Sequence, residues 1–197
     1  TPLLIATANR ISDYDQTSQE LQWIGSASRL NYVLGLYYYE DDGYTINPHV
    51  FFFGTDSSQY GFGAESMAAY AQFDFRATDA LTLTAGLRYT DEHKDDTFTR
   101  RTRTGALHPA LGAIDGVTTN YDGDKFDYRL NFQFQWNPSL MTYAQVATGF
   151  KGGGVSPRPF SPGQARPFNP EELTSYEVGV TTDLFDRRLR LNVAGFF

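Results

Sequence analysis

Apolar and polar residues alternate strictly along several segments of the chain. The clearest segment runs from Phe126 to Trp136, where six apolar residues are separated by five polar ones. Successive side chains of a β-strand point to opposite faces, so this period of two predicts a strand with one apolar and one polar face. The same pattern, strong or weak, covers residues 21–23, 30–38, 67–76, 81–90, 140–150, 176–184 and 189–197. The chain is therefore predicted to be all-β, with eight strands of about 10 residues each.

Short and long connections alternate between the predicted strands. Tight turns are predicted at 77–80, 137–139 and 186–188, and long polar loops at 42–64, 95–124 and 151–172. This asymmetry is typical of antiparallel transmembrane β-barrels in bacterial outer membranes. A strand from Phe126 to Trp136 extends about 33 Å, or roughly 23 Å when tilted by about 45°, which matches the apolar band of such barrels. The apolar face is therefore predicted to border lipid.

Aromatic residues support this prediction. They make up 16% of the chain, with 16 Phe, 13 Tyr and 2 Trp. In membrane barrels, aromatic side chains form girdles at both lipid–water interfaces. Tyr89, Phe126, Phe150 and Tyr176 lie near the predicted loop ends of their strands, whereas Trp136 lies beside a predicted turn.

The opposite face of the predicted strands carries too much charge for a protein core. Buried unpaired charges cost several kcal/mol each, so these positions need water or a charged partner. Side chains alone fill an eight-stranded barrel, so we predict a wider lumen that is wet or filled by a polar plug. The residues predicted to face it are Asp74, Arg76, Arg88, Asp127, Arg129 and Glu177. Cross-strand pairing of these charges within the wall is the alternative explanation.

Charge and cysteine content narrow the function classes. The chain has 197 residues, no Cys, and 16 Lys and Arg against 23 Asp and Glu, a net charge of −7. A nucleic-acid partner, a disulfide framework and a thiol nucleophile are therefore not expected. The longest unbroken apolar run, Met67 to Ala71, has five residues, against about 20 for a membrane-spanning helix. No signal peptide is visible, so we expect a mature protein or a piece of a longer one.

No catalytic, metal or cofactor site is predicted. The three histidines, His49, His93 and His108, are widely separated in sequence and are expected to be exposed loop residues. No Gly-x-Ser-x-Gly elbow is present, as a Ser-dependent hydrolase of the common type would require. Residues 152–154 are three glycines without the Lys-Ser/Thr of a phosphate loop, so they predict a flexible exit from a strand.

Basic side chains in the predicted loops are the candidate ligand contacts. They could serve solubility or bind lipopolysaccharide phosphates, or they could attract an anionic ligand. The candidates are Arg101, Arg103, Lys151, Arg158 and Arg166. Four tyrosines near the same end could contact a ligand, but girdle and loop packing is the favoured interpretation; they are Tyr37, Tyr39, Tyr44 and Tyr60.

Four segments resemble, in family order, barrel strands of TonB-dependent outer-membrane receptors. They are Gln16-Thr-Ser-Gln-Glu-Leu21, Leu81-Thr-Leu-Thr-Ala-Gly-Leu-Arg-Tyr-Thr-Asp-Glu92, Tyr143-Ala-Gln-Val-Ala-Thr-Gly-Phe-Lys-Gly152, and Asn169-Pro-Glu-Glu-Leu-Thr-Ser-Tyr-Glu-Val-Gly179 with the following 184–191. Together they span about residues 16–197. The plug domain, TonB box and barrel end of that family are not recognised in this sequence.

The resemblance implies a fold, an activity and partners. Receptors of this class close about 22 strands around a plugged lumen, which at about 25 residues per strand needs roughly 540 residues. Residues 1–197 are thus expected to form about eight strands of one receptor barrel domain, with the plug and the barrel C-terminus absent. The expected function is uptake of a scarce ligand, by default an iron–siderophore complex, powered by TonB through the plug. The expected location is the bacterial outer membrane, in contact with lipid and lipopolysaccharide.

Three other classes remain as alternatives. A complete eight-stranded outer-membrane barrel with a structural or adhesive role fits the strand number and the terminal Phe197. An outer-membrane enzyme would need an acid–His or Ser–His constellation at the rim, which three scattered histidines do not favour. A soluble ligand-binding barrel would have a polar outside, unlike the regular apolar stripe found here.

Overall fold

The chain is built almost entirely of β-strands. The computed structural model describes residues 6–8, 10–51 and 54–197. In that part of the chain, the single helix is a 3₁₀ turn at Gly112–Ile114, and no helix is long and apolar enough to cross a membrane. The strands are β1 (Ala6–Ala8), β2 (Ile11–Ala27), β3 (Leu30–Phe51), β4 (Gly54–Arg76), β5 (Leu81–Arg101), β6 (Thr118–Asn137), β7 (Leu140–Lys151), β8 (Gly154–Val155), β9 (Pro167–Phe168), β10 (Glu171–Leu184) and β11 (Leu189–Phe196).

Nine of these strands form one antiparallel sheet, in agreement with the predicted fold class. Its order is β1-β3-β4-β5-β6-β7-β10-β11, and β2 also pairs with β3. Because β1 and β2 pair with successive parts of the same edge of β3, the sheet has eight strand positions, as predicted. Within the described residues, β2 and β11 pair on one side only, so the barrel is not closed.

The strands are much longer than predicted. β3, β4, β5 and β6 have 22, 23, 21 and 20 residues. The loop predicted at 42–64 is wrong, since β3 and β4 run through it; the loop predicted at 95–124 shrinks to 102–117. Where both faces of a strand pair are exposed to water, apolar and polar residues need not alternate, but the backbone hydrogen bonds between the strands can still all form. The periodicity therefore marks only the part that carries an apolar face.

Tight turns occupy the opposite end of the sheet, where they were predicted. Strands β4 and β5 are joined by residues 77–80, and the Thr78 hydroxyl accepts hydrogen bonds from the amides of Ala80 (3.2 Å) and Leu81 (2.9 Å). Between β6 and β7, the Asn137 side chain accepts from the Ser139 amide at 2.9 Å. Side-chain oxygens of Thr and Asn commonly close turns in this way.

Cross-strand register separates an apolar face from a polar face. Leu83 lies opposite Phe132 and Leu87 opposite Tyr128, so apolar residues of neighbouring strands share one face. Their side chains are unusually exposed, with Phe132 at 57% and Trp136 at 61%. Such a continuous exposed apolar surface marks a face that borders lipid or another protein.

Tyrosine rings cover glycines on the neighbouring strand at three positions. Tyr70 lies directly opposite Gly35, Tyr143 opposite Gly179, and Tyr32 opposite Gly25. At each glycine, an added Cβ would overlap the tyrosine ring. The missing side chain therefore leaves room for a ring to lie flat along the sheet. The ring is held in one position and covers the backbone of the glycine.

The facing assignment predicts opposite effects for two adjacent arginine substitutions in β6. Phe132→Arg should destabilise the folded protein by about 2–4 kcal/mol, since it places a charge on the face predicted to border lipid near mid-depth. Gln133→Arg, on the polar face, should change the free energy of unfolding by less than about 1 kcal/mol. Urea unfolding of the full-length protein in lipid vesicles measures both. Equal losses would contradict the assignment.

The tyrosine–glycine pairs predict a difference between two glycines of the polar face. Gly35→Ala should destabilise the wall by about 1–2 kcal/mol, because the new methyl group displaces the Tyr70 ring. Gly86→Ala should be neutral or slightly stabilising, since the nearest atom to its Cβ would be 3.7 Å away. The same unfolding assay compares them, and a Gly35→Ala protein as stable as the Gly86→Ala protein would count against ring packing.

Candidate functional site

The polar face collects the residues predicted to face a lumen. Register places Arg88 opposite Asp127 and Arg129 opposite Gly86 on one face of β5 and β6. The strand parity puts the other three on the same face: Asp74, Arg76 and Glu177. That this face borders a lumen stays a prediction.

Neutral groups, and not ion pairs, contact most of these charges. The Asp127 carboxylate accepts a hydrogen bond from the Thr148 hydroxyl at 3.0 Å, and Arg129 Nε donates to the Gln145 side-chain oxygen at 2.8 Å. Among the described residues, none of the six forms an ion pair with another charged side chain. Cross-strand ion pairing within the wall therefore does not account for them.

Arg88 belongs to a network that extends across β2, β3, β4 and β5. Its guanidinium carbon lies 5.6 Å from the ring centroid of Tyr37 and 5.8 Å from that of Tyr70. The Tyr70 hydroxyl donates to Glu20 at 2.6 Å and accepts from the Gln22 amide at 2.7 Å. Aromatic faces attract a guanidinium without neutralising it. The network thus fixes Arg88 on the polar face, together with the oppositely charged Glu20.

Beyond this network, two loops pack together over the strand extensions. We call the contact the loop core and define it by Phe98, Ile114 and Ala165, which are 0%, 0% and 7% exposed. Partly buried neighbours cover it: Tyr60, Val117 and Val155. The loop core joins the 102–117 connection to the 152–170 connection, so the long-loop end of the sheet is a packed structure.

Five basic residues were predicted to contact a ligand, and Arg101 has an internal partner. Its Nη2 lies 2.9 Å from Asp115 Oδ2. This hydrogen bond, assisted by the Arg100 amide, lowers the pKa of the Asp115 carboxyl. The remaining four, Arg103, Lys151, Arg158 and Arg166, are exposed in or beside the two loops. Ligand contact by any of the five stays a prediction.

The four tyrosines near this end divide between the two faces. Tyr37 and Tyr39 lie on the polar face, and the Tyr39 hydroxyl donates to Asp41 at 2.8 Å. Tyr60 packs against the loop core, whereas Tyr44 lies on the face opposite to the polar face. Loop packing accounts for Tyr60, and Tyr37 with Tyr39 are placed to meet whatever occupies the polar side.

Two of the histidines have well-defined surroundings, and one prediction about them is wrong. His108 is 6% exposed, because its Nδ1 accepts hydrogen bonds from the amides of Ala110 (3.2 Å) and Leu111 (3.1 Å) within a folded loop. His93 is exposed, and a 2.6 Å hydrogen bond to Asp122 raises its pKa. The His49 side chain lies outside the described residues. Within those residues, no group of three metal-ligating side chains converges.

Sequence reasoning overlooked Lys94. Its ammonium donates to the Gly153 carbonyl at 2.9 Å and to Glu92 at 3.3 Å, and it lies 5.5 Å from the ring centroid of Tyr121. The residue occupies a polar-face position of β5 beyond the apolar stripe, where alternation no longer reports on facing. Its face could have been predicted only by assuming that β5 continues as a regular strand beyond Leu87, so that every second residue lies on the same face.

Asp96 lies next along the same face of β5. Burial raises its pKa to about 6, with a further contribution from neighbouring Asp95 and an opposing one from Lys94. A half-buried carboxylate therefore sits near the loop end of the polar face, and it gains a proton more readily than an exposed one.

The arrangement defines a class of protein. An antiparallel sheet with an exposed apolar face, a charged opposite face, short turns at one end and long strand extensions at the other is part of the wall of a transmembrane-type β-barrel. Residues 4–197 match the family model described as TonB dependent receptor-like, beta-barrel. The chain belongs to this family, whose barrels are outer-membrane transport receptors.

Solved structures share the fold over nearly the whole chain. The ferric yersiniabactin uptake receptor FyuA from Yersinia pestis has a TM-score of 0.84 at 23% identity, over 97% of this chain and 29% of the receptor. The siderophore receptor PiuA from Acinetobacter baumannii gives 0.67 at 14%, over 95% and 32%. The copper transporter OprC gives 0.65 at 12%, over 94% and 30%. This chain thus spans about a third of their length.

The raised pKa of Asp96 predicts a pH dependence of stability. Because the folded state binds this proton more tightly than the unfolded state, stability should fall as the pH rises from about 4 to about 6. Asp96→Asn should remove that fall and leave the protein more stable at pH 7 by up to about 1 kcal/mol, after allowance for solvent screening. Urea unfolding of the full-length receptor across pH 4–7 measures the effect. Asp124→Asn on the outward face is the control, and parallel curves for the parent and Asp96→Asn proteins would refute the assignment.

Proposed function

We propose that this chain forms part of the barrel wall of a bacterial outer-membrane receptor that takes up a scarce ligand, with iron–siderophore complexes as the ligand class. The family membership carries the receptor assignment. Fold relatives that include siderophore receptors support the ligand class, and the copper transporter among them is the reason to test it directly. The contribution of this chain is to bind and guide the ligand, with no covalent chemistry.

The rest of the barrel and its plug are part of the same proposal. Residues 1–197 supply eight of about 22 strand positions, and both sheet edges need a neighbouring strand because lipid cannot satisfy backbone N–H and C=O groups. A plug in the lumen would lie against the polar face. Arg88 and Arg129, which form no ion pair among the described residues, suit such a charged neighbour, and TonB would act through that plug.

The loops give the entry side its chemistry. We propose that the exposed loop cations Arg103, Arg158 and Arg166 set a local positive field in a chain whose net charge is −7; Lys151 lies opposite Glu171 in the ladder between β7 and β10. Such a field raises the association rate of anionic ligands, and added salt screens it. Tyr37 and Tyr39 add aromatic side chains to the polar face below these loops. Lipopolysaccharide phosphates are anions too, so outer-leaflet lipid competes for the same cations.

The open sheet bears on the second candidate, a complete eight-stranded barrel. Such a barrel would pair its first strand with its last. In the described residues, β2 and β11 are at opposite ends of the sheet order, and each has one free edge. The open sheet and the charge of the polar face both favour a wider barrel.

Ligand uptake tests the proposal directly. The full-length receptor should bind at least one ferric siderophore from a panel of catecholate, hydroxamate and carboxylate types, and cells lacking it should lose uptake of radioactive iron with that siderophore. If no ferric complex binds and copper binds instead, the proposed ligand class of iron–siderophore complexes is wrong.

A charge-matched pair of variants tests the role of the loops. Removal of two loop cations, Arg158→Gln with Arg166→Gln, should lower the association rate of an anionic ferric complex roughly threefold to tenfold at low salt, and the difference should shrink at high salt. The control removes two cations from the turn at the opposite end, Arg187→Gln with Arg188→Gln, and should leave the rate unchanged. Stopped-flow fluorescence measures the rates, and equal effects of the two pairs would exclude local steering.

A further inference from the structure

The wall opens along one seam at its loop end. Pairing between β6 and β7 ends at Arg129 and Ala147, although β7 continues to Lys151 and β6 begins at Thr118. Pairing between β7 and β10 continues past that level, up to Lys151 and Glu171. At the end of the seam, the Thr148 hydroxyl accepts from the Tyr128 amide at 2.9 Å. Beyond Ala147, β7 and β10 leave the backbone ladder of β6 together, and only side chains cross the seam: Thr148 donates to Asp127 at 3.0 Å, and Lys125 lies 2.5 Å from Glu172.

The segment that these two strands carry lies on the polar face. We call residues 152–168 the flap; its ends pair as β8 and β9. Gly153 and Gly154 are buried, and an added Cβ on Gly152 or Gly153 would overlap Glu92, Lys94 or Tyr121. Backbone without side chains thus lies directly on polar-face residues of β5 and β6. The glycines that predicted a flexible exit are the docking surface of the flap.

Two small contacts hold the flap itself in place, and the Lys125–Glu172 ion pair ties β10 at its base to β6. The first is Lys94, whose ammonium bridges the Gly153 carbonyl on the flap and Glu92 on the wall. The second is the loop core, where Ala165 and Val155 of the flap meet Phe98 and Ile114. Both contacts are local, and neither extends the main sheet. A charged hydrogen bond and a few apolar side chains can be broken without unfolding the strands beneath.

We propose that the flap is a gate over the polar face and that Lys94 is the latch that holds it closed. When the latch opens, the flap swings with the upper part of β7 and β10 and uncovers Tyr121, Glu92 and the surface leading toward Arg88. This inference rests on the proposed function, because a gate matters only if a ligand crosses that surface. Lys94 acts as a positioning residue for the flap.

Cysteine labelling tests the gate: residues 1–197 contain no Cys, and any Cys elsewhere in the full-length receptor is first replaced by Ser. Ala165→Cys places a thiol in the loop core of the full-length receptor, and Ser161→Cys places one on the exposed part of the flap. A membrane-impermeant maleimide applied to intact cells should label Ser161→Cys rapidly and Ala165→Cys slowly. Equal rates for the two would mean that the flap is not docked, and the proposal would fall.

Latch variants in the Ala165→Cys background give the second readout. Lys94→Met keeps a side chain of similar length but removes the charge, so it should raise the labelling rate of Ala165→Cys about tenfold. Gly153→Val should do the same by preventing docking. Gly163→Val is the matched control, because its Cβ meets no atom closer than 3.9 Å and labelling should not change. Heat-modified mobility on gels confirms that each variant folds.

The outcomes separate the gate from the ligand. Faster labelling in Lys94→Met and Gly153→Val, with Gly163→Val unchanged, supports the latch even if no ferric siderophore is transported. Unchanged labelling in folded Lys94→Met overturns the latch even if uptake is demonstrated. If Gly153→Val and Gly163→Val raise the labelling rate equally, then added bulk anywhere in the flap loosens it. This result would also overturn the assignment of Gly152–Gly153 as the docking surface.

Discussion

The hydrogen-bond ladder between neighbouring strands is the constraint on which this structure depends. Lipid offers no partner for a backbone N–H or C=O group, so a membrane-crossing strand must satisfy all of them through its neighbours. Pairing along β4 and β5 runs without interruption from Arg76 and Thr82 to Ser57 and Arg101. Once that register is set, every side chain is assigned to one face. The separation into an apolar face and a charged face follows from register alone.

Three charges on the polar face, those of Asp127, Arg129 and Arg88, are held in place by neutral groups. Hydroxyl and amide groups of the wall contact Asp127 and Arg129, and tyrosine rings lie over Arg88. Glycines opposite the tyrosines make room for this arrangement, as Gly35 does for Tyr70. A wall of this kind keeps its geometry while its charges stay available to a neighbour. An ion-paired wall would have used them internally.

The sequence could predict what apolar alternation and turn chemistry report. The faces of β4, β5 and β6, the turns at 77–80 and 137–139, and the family were recognisable because lipid requires an apolar stripe and tight turns need particular residues. The extensions of β3 and β4 through 42–64 were not, since a ladder wetted on both faces leaves no periodic trace. The buried His108 and the latch at Lys94 depend on contacts between distant loops, which no local pattern encodes.

The extra length of the central strands sets the height of the molecule. The 23 residues of β4 extend about 75 Å, or roughly 50 Å when tilted by about 45°, against an apolar band of about 25 Å. If the apolar face borders lipid, roughly half of the strand extends beyond the apolar band as a collar. In an outer membrane, the loops would project outward on this collar into the sugar layer. Anything that approaches the loop end of the sheet would meet this collar before the apolar band.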